Sequence, residues 1–101
     1  MMPTHDEIRD YLERSGDDRF MWDYPIIEFE GGWFTWQPDE RADALIVVQA
    51  YGNHAALLRE AKKLATLLKF KKIRFGTQHK GAAMARLFGG QVIAEIVEIE
   101  V

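Results

Sequence analysis

The sequence has 101 residues, of which 48% are hydrophobic and 29% are charged, and its formal net charge is −3. These values predict one domain of an ordinary soluble globular type, residues 1–101. No apolar run approaches the roughly 20 residues that cross a bilayer, and the first residues lack the pattern of a signal peptide. The absence of cysteine excludes disulfides and thiolate chemistry. We therefore expect a cytoplasmic protein.

The charges are strongly segregated along the chain. Residues 1–51 hold twelve acidic and four basic side chains, whereas residues 52–90 hold nine basic ones and a single carboxylate, Glu60. The basic block is either a solvated face partly neutralised by the acidic half or a surface for a polyanionic ligand. Nucleic acid is a weaker alternative, because the acidic half would repel its backbone and no reading motif is visible.

The first half of the chain predicts a capped helix followed by a hairpin. Thr4 and Glu7 have the spacing of a capping box, and Gly16 lies where a helix commonly ends. A segment rich in aromatic residues follows. Gly31-Gly32 predicts the tight turn between two strands, because glycine takes positive φ values readily. Core packing is the common use of such aromatics, and a ligand groove or an interface, for a partner or a homodimer, is the alternative for Trp22, Phe29, Trp33, Phe34 and Trp36.

The second half predicts a parallel crossover. Residues 44–48 are apolar throughout, which indicates a central strand. Apolar residues at helical spacing predict a helix from His54 to Phe70, with Val47, Leu64 and Leu68 buried together. A strand over residues 72–77, a short helix over 82–88 and one strand from Gln91 to Val101 complete the order. The predicted fold class is α/β (α+β): a single mixed twisted sheet with helices on both faces.

The junction Gln49-Ala50-Tyr51-Gly52-Asn53-His54-Ala55 joins the central strand to the basic helix, and backbone N–H groups at such a helix start can hold an anion. This stretch resembles the (Arg/Gln)-x-x-Gly-x-(Gly/Ala) loop of the GNAT superfamily of N-acyltransferases, with Gln49 and Gly52 as the matching residues. Residues 70–77 and 81–92 are similar to the following strand, short helix and glycine-aromatic turn of that family. The resemblance covers residues 25–99 and implies a GNAT-like domain truncated at the N-terminal strand.

The resemblance also implies a ligand, acetyl-CoA or another acyl-CoA. Pantetheine would pair with the strand edge at Val47 and Val48. The pyrophosphate would lie on the loop, and the adenosine phosphates would approach Lys62 or Lys63. The loop residues concerned are Gln49, Tyr51, Gly52, Asn53, His54 and Ala55.

Two departures from the family pattern weigh against catalysis. His54 stands where the family has a small residue and should crowd a phosphate. Arg86 occupies the position that often supplies a tyrosine to protonate the thiolate. The pyrophosphate loop is therefore degenerate. Short members of this family, some of them phage-encoded virion components, share such trimming, so a non-catalytic interaction or virion-associated protein on the same fold is the alternative function.

Acyl transfer needs a base within hydrogen-bond reach of the amine. Glu28 and Glu30 alternate with apolar residues, which places both on one face of the first hairpin strand, and either is a candidate base; a solvent-facing hairpin edge is the alternative. Tyr51 is a candidate for catalysis or for packing at a strand end. The three histidines are dispersed and no cysteine accompanies them, so we predict no metal site.

Overall fold

The computed structural model describes residues 3–17, 19–20, 22–76, 91–93 and 96–101. Two helices and six strands lie within these ranges. The helices are α1 (His5–Ser15) and α2 (His54–Leu67), and the strands are β1 (Ile26–Phe29), β2 (Gly32–Asp39), β3 (Ala44–Gly52), β4 (Lys72–Gly76), β5 (Gln91–Ile93) and β6 (Ile96–Glu100). Neither described helix is long and apolar enough to cross a membrane.

The strands form one mixed sheet in the order β1-β2-β3-β4-β6-β5. β3 and β4 are parallel and are joined through α2, while the other neighbouring pairs are antiparallel. β3 lies in the interior of the sheet, as its apolar run predicts. The mixed α+β sheet predicted from the sequence is therefore confirmed.

Helix α1 has the ends that its sequence predicts. The Thr4 hydroxyl accepts a hydrogen bond from the Glu7 N–H, and the Thr4 N–H donates to the Glu7 carboxylate at 2.9 Å. Gly16 ends the helix with φ 80°, in the left-handed region that glycine adopts without steric cost. Capping box and C-terminal glycine together fix both ends of α1.

The two helices cover opposite faces of the sheet. Trp33 and Phe34 are neighbours on β2, and successive strand residues point to opposite faces. Trp33 packs with Tyr11 of α1, whereas Phe34 belongs to the core beneath α2. That core contains Phe34, Leu45, Val47, Leu57, Ala61, Ala65, Ile73, Phe75, Val97 and Ile99. The expected placement of helices on both faces is confirmed.

The end of α2 differs from the prediction. The helix ends at Leu67 and not at Phe70. Lys69 takes a positive φ of 66°, which turns the chain so that Phe70 packs against the core. Leu68 is consequently 42% exposed. The predicted joint burial of Val47, Leu64 and Leu68 is therefore wrong for Leu68. It is confirmed for Val47, which is buried in the core, and partly for Leu64, which is half-buried and packs against that core.

The C-terminal segment also differs. The single strand predicted from Gln91 to Val101 is two strands, β5 and β6, which pair antiparallel up to Ile93↔Ile96. No glycine, proline, asparagine or aspartate stands between the two strands in the sequence, so the pattern gave no signal for their boundary. The register of β6 is set by its antiparallel pairing with β4, which depends on residues distant in the sequence. The predicted short helix over 82–88 lies outside the described residues.

Candidate functional site

The described pairing between the two parallel strands at the centre of the sheet ends partway along β3. Their pairing runs from Ala44↔Lys72 to Val47↔Phe75. Val48 and Gly76 are both described, but the pairing does not extend to them, although Gly76 keeps its partner Ile96 on the other side. β3 nevertheless continues to Gly52. Residues 48–52 thus extend beyond the described β3–β4 ladder.

A β-bulge in β3 lies next to the last described pair of β3 with β4. Trp36 pairs with Val47 and Thr35 pairs with Gln49, which leaves Val48 as the extra residue. The buried Thr35 hydroxyl accepts a hydrogen bond from the Gln49 N–H at 3.0 Å and so holds the bulge. Bulges bend a strand and increase its twist, so β3 is expected to bend next to its last described pair with β4.

Beyond the bulge, β3 leads directly into α2. Asn53 is the N-cap, and its side chain accepts a hydrogen bond from the Ala56 N–H at 3.0 Å. Residues 52–55 are exposed, and no acidic side chain lies in the first turn of α2. His54 and Ala55 are the first two helical residues, so their amides point away from the helix toward its N-terminal end. This end of α2 suits a negatively charged group.

The predicted pantetheine contacts differ in exposure. Val47 is 3% exposed because its side chain lies in the core beneath α2, whereas Val48 is half-buried. A ligand along β3 would therefore meet the Val47 backbone and the Val48 backbone and side chain. Both residues lie at the end of the described β3–β4 pairing.

Gln49, one of the two residues that match the family loop, lies on the α1 face. Its side chain is 2% exposed, and its amide nitrogen donates to the Asp17 carboxylate at 3.0 Å and to the Arg19 carbonyl oxygen at 2.9 Å. Gln49 therefore anchors the segment that follows α1. Asp17 and Arg19 were not predicted from the sequence, because contacts over some 30 residues have no local signature.

Gly52, the other matching residue, lies against the hairpin turn. It pairs with Gly32 and has φ 110°. A Cβ at Gly52 would clash with the Gly31 carbonyl oxygen and lie 2.7 Å from the Gly32 Cα. Glycine is required here by the close approach of two backbones, whatever the loop binds.

Tyr51 is held by α1. Its ring stacks on Trp33, with centroids 5.8 Å apart, and its hydroxyl donates to the Asp10 carboxylate at 2.8 Å. The hydrogen bond to Asp10, followed by desolvation, raises the pKa of Tyr51 above its ordinary value. The phenol is thus stabilised in its neutral form and is poorly suited to act as a base.

The two candidate carboxylates occupy different structural elements. Glu28 is exposed on β1 and pairs with Trp33, so it shares the α1 face with Trp33 and Tyr51. Glu30 follows the last residue of β1, Phe29, and lies exposed in the turn. Glu28 and Tyr51 lie two strands apart, which corresponds to about 10 Å. The structure brings these residues to one end of the hairpin but not to one another.

Among the cations of α2, Arg59 lies nearest the helix start. Lys62 and Lys63 are both exposed, and Lys62 lies about 12 Å along the axis from His54 at the usual rise per residue. Lys63 is 3.7 Å from the Glu60 carboxylate. Arg59, also exposed, follows Ala55 by one turn on the same side of the helix. Arg59 was not among the residues predicted from the sequence, although its i, i+4 spacing from Ala55 would have identified it.

Three other predictions concern Arg86, a metal site and the aromatic side chains. Arg86 lies outside the described residues. In the ranges that the structure describes, no three His, Cys, Asp or Glu side chains group as a metal site would require. Of the aromatic set considered for a surface, Trp33 and Phe34 are buried and Trp22 is 55% exposed. Trp22 is therefore the aromatic side chain that faces solvent most fully in that set.

No protein-family model and no curated protein matches the sequence. Among solved structures, the chain is similar to an acetyltransferase of the GNAT family from Listeria monocytogenes 4b F2365, with 14% sequence identity and a TM-score of 0.49. The similarity covers 70% of this chain and 58% of that chain, so this chain spans little more than half of that protein's length. It concerns the fold alone, and the chemistry of the site depends on the residues described above.

Proposed function

We propose that this domain binds a CoA-type ligand, such as acetyl-CoA, along the part of β3 that extends beyond its described pairing with β4, in the manner of GNAT-type N-acyltransferases. The observation that carries the proposal is that β3 continues beyond its described pairing with β4 and leads directly into the exposed start of α2. An extended ligand can pair with a strand edge through main-chain hydrogen bonds, and an anion is favoured at a helix start. One ligand with an extended arm and a pyrophosphate satisfies both.

The residues present fit such a ligand. Pantetheine would lie along β3 from Val47, and the pyrophosphate would lie on the amides of His54 and Ala55. The absence of acidic side chains from the first turn avoids repulsion, and Arg59 supplies positive charge nearby. Lys62 and Lys63 are far enough along α2 to meet the adenosine phosphates rather than the pyrophosphate.

Acyl transfer would require a base for the acceptor amine. A bound acyl-CoA supplies the activated thioester, and the amine nitrogen must lose a proton as it attacks the acyl carbon. Glu28 and Glu30 are exposed carboxylates at the hairpin end and are the bases we propose. Tyr51 is the weaker candidate, because its hydroxyl already donates to Asp10.

A second function is favoured by a specific observation: Gln49 and Gly52 both have structural roles. Gln49 anchors the segment after α1, and Gly52 permits the approach of the hairpin. Both residues would be required in a domain that binds no CoA. A non-catalytic interaction protein on this fold, including the virion-associated role that the resemblance implies, is therefore the alternative.

Isothermal titration with acetyl-CoA tests the proposal through a matched pair of variants. Ala55→Asp places a carboxylate in the first turn of α2, where it favours the helix but repels a pyrophosphate. Ala55→Asn has the same shape without the charge. We expect the Asp variant to bind at least about tenfold more weakly than the Asn variant, a difference of about 1.4 kcal/mol. Equal affinities would place the ligand elsewhere.

Three further variants refine the site. Arg59→Ala should weaken binding most at low salt, because exposed charges are screened as ionic strength rises. Lys69→Ala, beyond the far end of α2, is its control. His54→Gly should tighten binding if the imidazole crowds the phosphate. If the wild type and His54→Gly both give no heat at millimolar acetyl-CoA, the interaction function replaces the ligand-binding one.

A further inference from the structure

The two charge blocks of the sequence lie on opposite faces of the folded domain. Residues 5–30, which contain α1 and β1, hold three arginines and nine carboxylates and so have a net charge of −6. Residues 54–71 contain α2 and hold five basic side chains against Glu60, which gives +4. Because α1 and α2 cover opposite faces of the sheet, these two segments place negative charge on one face and positive charge on the other.

Each face also exposes large apolar side chains. Trp22 is 55% exposed, and its ring packs edge-on against Phe20 of the α1-face cluster, with the ring centroids 4.5 Å apart. Its sequence neighbour Asp23 is exposed, as are Asp6, Glu13 and Glu28 on the same face. We call Trp22 with these four carboxylates the acidic patch.

The corresponding surface on the other face lies at the end of α2. Leu67 is 75% exposed and Leu68 is 42% exposed, because the chain turns at Lys69 and packs Phe70 inward instead. Lys63, one helical turn before Leu67, and the following Lys69 and Lys71 are exposed. We call these two leucines and three lysines the basic patch.

We propose that copies of this chain associate head to tail, with the acidic patch of one copy on the basic patch of the next. The patches are complementary in charge, and each offers an apolar side chain for the centre of a contact, where burial contributes most to affinity. Since the patches lie on different faces, the contact is heterologous and leaves one free patch at each end of an assembly. The basic patch lies at the opposite end of α2 from the proposed ligand site, so this inference does not depend on CoA binding.

Sedimentation velocity over a concentration series tests the association. We expect the wild type to self-associate in about 0.05 M NaCl and to dissociate toward monomer in about 0.5 M NaCl, where screening is stronger. Trp22→Ala and Leu67→Gln should each weaken association at least about tenfold. Ala55→Ser is the control, since Ala55 is exposed, lies at the end of α2 opposite the basic patch and belongs to neither patch. Circular dichroism establishes that each variant is folded.

Mixing the two variants separates a head-to-tail contact from a symmetric one. Trp22→Ala retains the basic patch and Leu67→Gln retains the acidic patch, so an equimolar mixture should form a dimer that neither variant forms alone and that cannot grow further. A monomeric wild type in low salt would overturn the proposal. So would a mixture that remains monomeric, or association that both single variants retain.

Discussion

On the α2 face, the buried cluster consists of apolar side chains, whereas the α1 face combines aromatic rings with hydrogen bonds that connect α1 and its following segment to β3. The first cluster gains stability from area removed from water, which is insensitive to direction. The second also depends on donors and acceptors that must meet at defined distances. The two faces should therefore respond differently to mutation, salt and pH.

The largest effect should come from the apolar face. Leu57, Leu64 and Leu67 lie on one helix, and they are respectively 5% exposed, half-buried and 75% exposed. Leu57→Ala should cost roughly 2–5 kcal/mol of unfolding free energy, because it leaves a cavity in a packed core. Leu64→Ala should cost less, and Leu67→Ala should stay within about 0.5 kcal/mol. Urea unfolding measures the series, and equal losses at all three positions would contradict the described packing.

The next effect concerns the contact between the hairpin and the start of α2. Gly31 and Gly52 both have positive φ, 95° and 110°, but only Gly52 has backbone atoms where a Cβ would lie. Gly31→Ala should cost about 1–3 kcal/mol from backbone strain alone. Gly52→Ala should cost more, because the hairpin must also move. If the two losses measured by urea unfolding are equal, the close approach of Gly52 to the turn does not constrain the fold.

Much of the fold could be predicted because it depends on local patterns. The capping box at Thr4, the stop at Gly16, the Gly31-Gly32 turn and the apolar run of β3 each carry their signal within a few residues. The boundary between β5 and β6 is not marked by any turn-forming residue in the sequence. The bulge at Val48 is also invisible in the sequence, since it depends on how β2 and β3 pair. The candidate site was located from the Gln49–Ala55 stretch, but the roles of Gln49 and Gly52 depend on Asp17, Arg19 and Gly31, which are distant in sequence.

A smaller effect should come from the polar contacts of the α1 face. Gln49→Ala removes the donor to Asp17 and Arg19 from a side chain that is 2% exposed. The loss should be about 1–3 kcal/mol, because the substitution removes two hydrogen bonds of a buried side chain, one of them to a carboxylate. Asp6→Ala is the control: the Asp6–Arg9 pair is exposed, and such pairs contribute about 0–1 kcal/mol. Comparable losses in urea unfolding would remove the distinction between the buried and exposed contacts.

The smallest effect should be a pH dependence of the unfolding free energy, which becomes visible only in alkaline solution. Burial, together with the hydrogen bond that Tyr11 donates to Asp17, raises the pKa of Tyr11 well above its ordinary value of 10.0. A raised folded-state pKa means that the unfolded chain loses this proton first. The stability associated with the neutral phenol is therefore fully present below about pH 10 and is lost as pH rises toward the folded-state pKa.

Comparing the wild type with Tyr11→Phe isolates this contribution. The difference in unfolding free energy between them should decrease between about pH 10 and about pH 11, by at most about 1.4 kcal/mol per pH unit. Tyr24→Phe, which removes a phenol outside the α1-face cluster, controls for loss of a hydroxyl in general. Urea unfolding at successive pH values measures both differences. A constant difference between the wild type and Tyr11→Phe would mean that Tyr11 ionises equally in the folded and unfolded states, and the α1 face would then lack the buried phenol–carboxylate contact that distinguishes it from the α2 face.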